Sequence, residues 1–215
     1  MSKALVLGCG ASGIASVRFL KRRGWTVALA DTRESPSSLA EFKQEFPDVP
    51  FTGGSLPLEL LDGCDALVLS PGLSPEHSAA SSLVAKARAS GMDVLGEIEL
   101  FARELAHLNK TQGYRPKVVA VTGTNGKTTT TRLTGLMVRQ ANRTVCTAGN
   151  IGPNAVCELD RLLEEGKLPD FWVLELSSFQ LATTTSLDCD AAAFLNLTQD
   201  HVDWHGSMAD RKSTR

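Results

Sequence analysis

Short apolar runs recur along the chain, each followed by a glycine or polar turn and then an amphipathic stretch. This alternation predicts an α/β protein built on parallel strands. Ala4–Leu7, Thr26–Ala30, Ala66–Leu69 and Asp93–Leu95 read as buried strands of a first sheet, with helices over Ser12–Arg23 and Pro75–Ser90. In the first helix Ile14, Val17 and Leu20 share one apolar stripe, the pattern of core packing. In the second, Pro75 suits a first helical turn and Gly91 an end. A second set of strands is predicted at Lys117–Val121, Thr144–Thr147, Phe171–Leu176 and Ala191–Leu195, with helices near Lys127–Ala141 and Ala155–Glu165. Between the sets lies Asn109–Pro116, the most polar and turn-rich break and the expected linker, preceded by a helix over Glu97–Leu108. Two domains are expected, 1–96 and 97–215.

Composition narrows the class. The 215 residues are 42% hydrophobic and 21% charged, which excludes a disordered or collagen-like chain. The 22 Lys and Arg against 24 Asp and Glu leave a formal charge of −2 without a block of like charges, so no nucleic-acid partner is expected. No apolar run approaches the ~18 residues of a membrane span, and the first residues are too short a stretch for a signal peptide. A cytoplasmic, monomeric chain without membrane insertion is expected. The five cysteines are odd in number and contain no C-x-x-C pair, which argues against a disulfide framework or a zinc site.

Two loops carry the chemistry. Gly8-Cys9-Gly10-Ala11-Ser12-Gly13 is a full G-x-G-x-x-G between a strand and a helix, where backbone N–H groups can approach a pyrophosphate. Asp31 ends the next strand, close to the ~20 positions expected of a ribose-binding carboxylate. A nucleotide diphosphate site and a plain tight turn are both open on these residues, and an NAD-dependent oxidoreductase is one reading. The third strand ends in Ser70-Pro71-Gly72, at the sheet edge where ligands of open α/β sheets bind. The second loop, Thr122-Gly123-Thr124-Asn125-Gly126-Lys127-Thr128-Thr129, is a P-loop variant with Val121 where the usual spacing has its first glycine. It supplies backbone donors, a lysine for phosphates and a hydroxyl for Mg²⁺. Glu175 ends the strand Phe171–Leu174, where a carboxylate can hold the metal. Asp200, His201, Asp203 and His205 cluster after the last strand, and His201 reads as a metal ligand or substrate contact. His77 and His107, without acidic or cysteine partners, read as surface residues.

Together with Gly149-Asn150-Ile151-Gly152, Glu175-Leu176-Ser177-Ser178-Phe179-Gln180-Leu181 and Asp200-His201-Val202-Asp203, the second loop resembles the Mur ligases of peptidoglycan synthesis. The resemblance implies a Rossmann-like UDP-binding domain followed by an incomplete P-loop ATPase domain with a mainly parallel sheet. It also implies ATP-dependent amide synthesis through an acyl phosphate, with UDP-N-acetylmuramoyl-L-alanine and D-glutamate as partners and two Mg²⁺ ions. Gly8, Gly10, Ala11, Ser12 and Gly13 would hold the UDP pyrophosphate, Asp31 and Thr32 the uracil, and Ser70 and Gly72 other parts of the UDP moiety. Gly123, Thr124, Asn125, Gly126, Lys127, Thr128, Thr129 and Ser177 would bind ATP, Thr128, Glu175 and His201 the metals, and Asn150 and Gln180 would approach the substrate. Lys127, Glu175 and His201 would be the catalytic residues. The same resemblance implies a carbamylated lysine near position 215, where Arg215 stands, with Lys212 three positions early, and a third domain that receives the amino acid. The stretch Asp210–Arg215 does not match the helix expected there. A chain of about the first half of such an enzyme, inactive by itself, is therefore expected. A non-catalytic nucleotide-binding fragment is the alternative.

Overall fold

The computed structural model of the chain describes residues 2–213. It divides into two compact units, Met1–Glu97 with Asp203–His205, and Ile98–Val202 with Gly206–Arg215.

The first unit is a five-stranded parallel sheet of β1 (Lys3–Leu7), β2 (Thr26–Asp31), β3 (Phe51–Gly53), β4 (Ala66–Leu69) and β5 (Asp93–Leu95), in the order β3-β2-β1-β4-β5. Its central strands are buried on both faces, which is why they read as unbroken apolar runs rather than as alternation. Helices α1 (Ala11–Arg22), α2 (Leu39–Glu45) and α3 (Ser81–Ala89) connect them, and Leu83, Val84 and Ala87 of α3 share a core with Leu5, Leu7, Leu67 and Leu69. The strand order reverses beside β1, opening a crevice at the carboxyl ends of β1 and β4. The helix expected over Pro75–Ser90 starts only at Ser81. Residues 75–80 are turns tied to Ser74, whose hydroxyl accepts from the His77 amide at 3.1 Å. The short β3 and α2 have no counterpart among the elements expected from the sequence.

The second unit contains α4 (Glu97–Gln112, all but its first residue), β6 (Lys117–Thr122), α5 (Lys127–Gln140), β7 (Val145–Gly149), α6 (Ala155–Glu164), β8 (Phe171–Glu175), α7 (Ser178–Leu181) and β9 (Ala191–Phe194). Its four strands are parallel in the order β7-β8-β6-β9. Trp172 of β8 is fully buried and meets Phe101 of α4 edge-on, with ring centroids 4.9 Å apart. Its indole N–H donates to the Tyr114 hydroxyl at 2.9 Å, which donates to the Pro169 carbonyl at 2.8 Å, so this large side chain has no stranded polar atom. Helix α4 runs to Gln112 and ends at Gly113 in the left-handed region, φ 71°. The linker expected at Asn109–Pro116 thus shrinks to residues 113–116, because the polar residues before it lie on the exposed face of a helix.

Two short helices follow, α8 (Val202–His205) and α9 (Met208–Ser213). The second carries Asp210–Ser213, the described part of the stretch whose residues do not match those the resemblance implies; Thr214 and Arg215 lie outside the described residues. Among the described residues no helix is long and apolar enough to cross a membrane.

Candidate functional site

In the first unit three strand-end turns enclose a cleft of about 340 Å³. It is lined by Gly8, Gly10, Ala11 and Ser12 after β1, by Asp31, Thr32 and Arg33 at the end of β2, and by Ser70, Pro71, Gly72 and Leu73 after β4. Gly13 does not line it. A Cβ there would stand 1.8 Å from the Gly8 carbonyl oxygen, so this glycine serves close packing of α1 on the loop. Gly10 faces open space, with nothing within 4 Å of where a Cβ would stand, as backbone offered to a ligand should. Ser70 braces the loop from behind, donating from its hydroxyl to the Gly8 carbonyl at 3.2 Å.

Asp31 behaves differently from expectation. Its carboxylate is buried and accepts from the Cys9 amide at 2.7 Å and from the Arg33 amide, Nε and Nη2 at 2.9, 2.8 and 2.8 Å. These four donors fill the roughly four acceptor positions of a carboxylate. The Arg33 side chain in particular pulls the Asp31 carboxyl down to about 2. In this conformation its side chain has no acceptor left for uracil or a ribose diol; it fixes the glycine loop through Cys9 and holds the exposed Arg33 over the cleft.

The second site stands on strand register. Val121 of β6 and Gly149 of β7 both pair with Glu175 of β8, so β7 and β8 end at one level and β6 runs one residue further. Gly149, at φ 103°, has no room for a Cβ, which would lie 2.4 Å from the Glu175 carbonyl oxygen. Glu175 is 2% exposed, and its two oxygens accept from neutral donors, Thr128 Oγ1 at 2.8 Å and Asn150 Nδ2 at 2.8 Å. Lys127 folds back over the loop, its ammonium donating to the carbonyls of Gly123 at 2.9 Å and Thr124 at 3.1 Å. Helix α5 opens at Gly126, φ 84°, without a side-chain cap. Such a helix end directs first-turn amides and partial positive charge at whatever sits before it.

This donor set fits a triphosphate with a divalent cation: a lysine, an uncapped helix end, a hydroxyl and a nearly buried carboxylate held by neutral partners. Among the described residues no three His, Cys, Asp or Glu side chains are grouped to hold a metal, so any ion here would share its ligands with water or phosphate. His201 sits at φ 53°, exposed, with its ring 4.9 Å from that of Phe179 and its Nε2 3.4 Å from Asp200. Ser177 and Gln180 form a reciprocal cap on α7: Ser177 N–H donates to Gln180 Oε1 at 3.0 Å and Gln180 N–H to Ser177 Oγ at 3.2 Å. Gln180 is 5% exposed, so its amide oxygen serves this cap rather than a ligand as expected. His77 and His107 are exposed, and His205 is buried beside Trp204.

Asn196 has a role that sequence reasoning did not assign. Its amide accepts from the Asn125 N–H at 2.9 Å and donates to the Asn125 carbonyl at 2.9 Å, while its own carbonyl accepts from the Thr124 N–H at 3.0 Å. It therefore sets the shape of the loop Gly123–Lys127 from the end of the neighbouring strand. Its one sequence signal is position, immediately after a predicted strand.

Comparison with known proteins accounts for both units. Residues 2–96 match the Mur ligase MurD-like N-terminal domain and residues 121–213 the Mur ligase middle domain. UDP-N-acetylmuramoylalanine--D-glutamate ligases from Ralstonia nicotianae and Cupriavidus pinatubonensis are 54% and 53% identical to the chain over 95% of its length. The chain spans about 41% of the length of these relatives. Among solved structures, a murein peptide ligase from Psychrobacter arcticus overlays with a TM-score of 0.48 at 16% identity, covering 100% of this chain and 46% of that one. A pseudomurein peptide ligase type C from Methanothermus fervidus overlays at 0.42 and 22%, covering 100% and 41%.

Proposed function

This chain belongs to the Mur ligase family, and we propose that it supplies the UDP-substrate site and the phosphate site of a ligase that joins D-glutamate to UDP-N-acetylmuramoyl-L-alanine. The observation that carries the reading is Glu175: a nearly buried carboxylate, level with the phosphate loop, whose oxygens accept from Thr128 and Asn150 without a charged partner between them. A carboxylate held there by neutral donors alone is set for a cation.

In this reading the first cleft holds the UDP moiety. The backbone from Gly8 to Ser12 faces the pyrophosphate, Arg33 offers it positive charge, and Thr32, Ser70 and Gly72 complete the walls. Asp31 orients Arg33 and the Cys9 amide. In the second unit the loop Gly123 to Thr129 receives ATP, whose terminal phosphoryl group activates the substrate carboxylate before the amine of D-glutamate attacks. Lys127 exchanges two loop carbonyls for phosphate oxygens and offsets the repulsion between two approaching anions. Mg²⁺, held by Thr128 and Glu175 with His201 at a second position, would supply further neutralisation of the phosphates. Ser177, Asn150 and Gln180 support the walls, Asn150 through its bond to Glu175 and Gln180 through the cap on α7.

A nicotinamide enzyme is the less favoured reading, because Asp31 lacks acceptor capacity for a ribose diol. Separate calorimetric titrations with UDP-N-acetylmuramoyl-L-alanine, ATP with Mg²⁺, and NADH test the proposal. Binding of the first two and not the third is expected. Binding of NADH alone would replace the ligase reading.

A further inference from the structure

Arg211 of α9 is 0% exposed, an unusual place for a guanidinium, and lies behind the phosphate loop. Its Nη1 donates to the Thr198 carbonyl at 2.7 Å and to the Asp200 carbonyl, and its Nη2 donates to the Thr124 hydroxyl at 3.0 Å. Its Nε has no hydrogen-bond partner. Asp200 Oδ2, on a half-exposed side chain, stands 3.9 Å from Arg211 Nη2. The cation is thus buried among neutral oxygens with one loose ion pair and one stranded donor, a costly arrangement unless something negative arrives nearby.

What Arg211 touches shows where that charge would come. Thr124 Oγ1 receives both Arg211 and the Thr198 N–H, at 3.0 Å each, and the Thr124 carbonyl is one of the two that hold Lys127. On the other side, the Thr198 and Asp200 carbonyls fix the segment leading into His201 and its left-handed backbone. One side chain therefore joins the loop proposed to hold phosphates to the segment proposed to hold a metal.

We propose that Arg211 is a positioning residue of the triphosphate site: it clasps Thr124 to the Thr198–Asp200 segment and keeps a permanent positive charge behind the phosphate loop. This rests on the ATP reading of that loop. Arg211 touches no ligand itself; it acts through Thr124 and Asp200.

The test uses the full chain with Arg211→Met, which keeps an unbranched apolar stem and loses charge and fork, and Arg211→Lys, which keeps the charge and loses the fork. In the nucleotide-free protein, amide hydrogen exchange at Thr124, Asn125 and Thr198 should quicken about tenfold in Arg211→Met while β8 stays protected. Affinity for ATP with Mg²⁺ should fall about tenfold, with adenosine binding unchanged and a smaller loss in Arg211→Lys. Should Arg211→Met fail to fold, Thr124→Val removes the clasp from the other end and should quicken exchange at Thr198. Unchanged exchange and unchanged ATP affinity in Arg211→Met would overturn the proposal, as would equal losses for ATP and adenosine. A wild-type chain that binds no ATP sinks the triphosphate reading, whereas the exchange measurement alone decides whether Arg211 orders the loop.

Discussion

Asp31 offers the sharpest test of how the first unit is held together. Replacing it with Ala removes four acceptances at once, but the donors differ in what they lose. The Arg33 guanidinium, 58% exposed, regains water, so its loss should matter little. The Cys9 amide belongs to a fully buried residue, and stranding it should cost about 1–3 kcal/mol. Asp31→Ala should therefore destabilise the unit by about 1–3 kcal/mol, and Asp31→Asn, whose amide oxygen can keep the Cys9 bond, by less. Acid provides an independent reading. The folded carboxyl is pulled from its ordinary 3.8 down to about 2, chiefly by the Arg33 side chain. Its contribution is complete above the unfolded value and is lost as pH falls through the folded one. The stability gap between wild type and Asp31→Asn should hold from neutral pH to about 4 and close toward about 2. Urea titrations at each pH, read by hydrogen exchange at β1 and β2 amides, report on this unit alone. If the gap is the same at both ends of that range, the ion pair and the amide bond are not what Asp31 contributes.

Three further outcomes are expected. Lys127→Ala should abolish measurable ATP binding while leaving the melting temperature and UDP-substrate affinity unchanged, since the ammonium bonds loop carbonyls; equal weakening of both ligands in calorimetry would instead indicate a disturbed fold. Glu175→Gln and His201→Ala should each lower ATP affinity with Mg²⁺ present and leave metal-free affinity alone, and identical wild-type affinity with and without Mg²⁺ would refute a metal at these residues. Gly149→Ala should cost about 1–3 kcal/mol in a denaturant titration, because its Cβ would collide with the Glu175 carbonyl at a positive φ; a neutral effect would show that β7 and β8 can separate there.

All the strands but the short β3, the glycine loop after β6 and the place of Glu175 at a strand end were legible because each is encoded locally: a buried parallel strand is a run of apolar residues, and a glycine loop marks where it turns into a helix. The Pro75 helix start failed because Ser74 and Ser78 side chains compete for the backbone that a helix would need. Residue roles that depend on pairing across the fold were not legible. Nothing local says that Asp31 is saturated by Arg33 and Cys9, that Gln180 caps α7, or that Asn196 and Arg211 reach residues some 70 and 87 positions earlier. Asp31 and Gln180 carried the right residue types for ligand contact, and only geometry shows their hydrogen bonds already committed within the protein.

The level at which β7 and β8 stop, beside the end of β6, limits how such a chain can change length. Side chains alternate between sheet faces, so losing one residue inside β8 would move its last position by about 3.3 Å and turn the carboxylate of Glu175 to the opposite face. The same loss in the turn at 141–144 or 165–170, at the amino ends of β7 and β8, would leave all three tips in place. Insertions and deletions should accumulate at that rim and stay out of 117–128, giving a protein whose far edge is free to vary in size while its phosphate edge is locked to the residue.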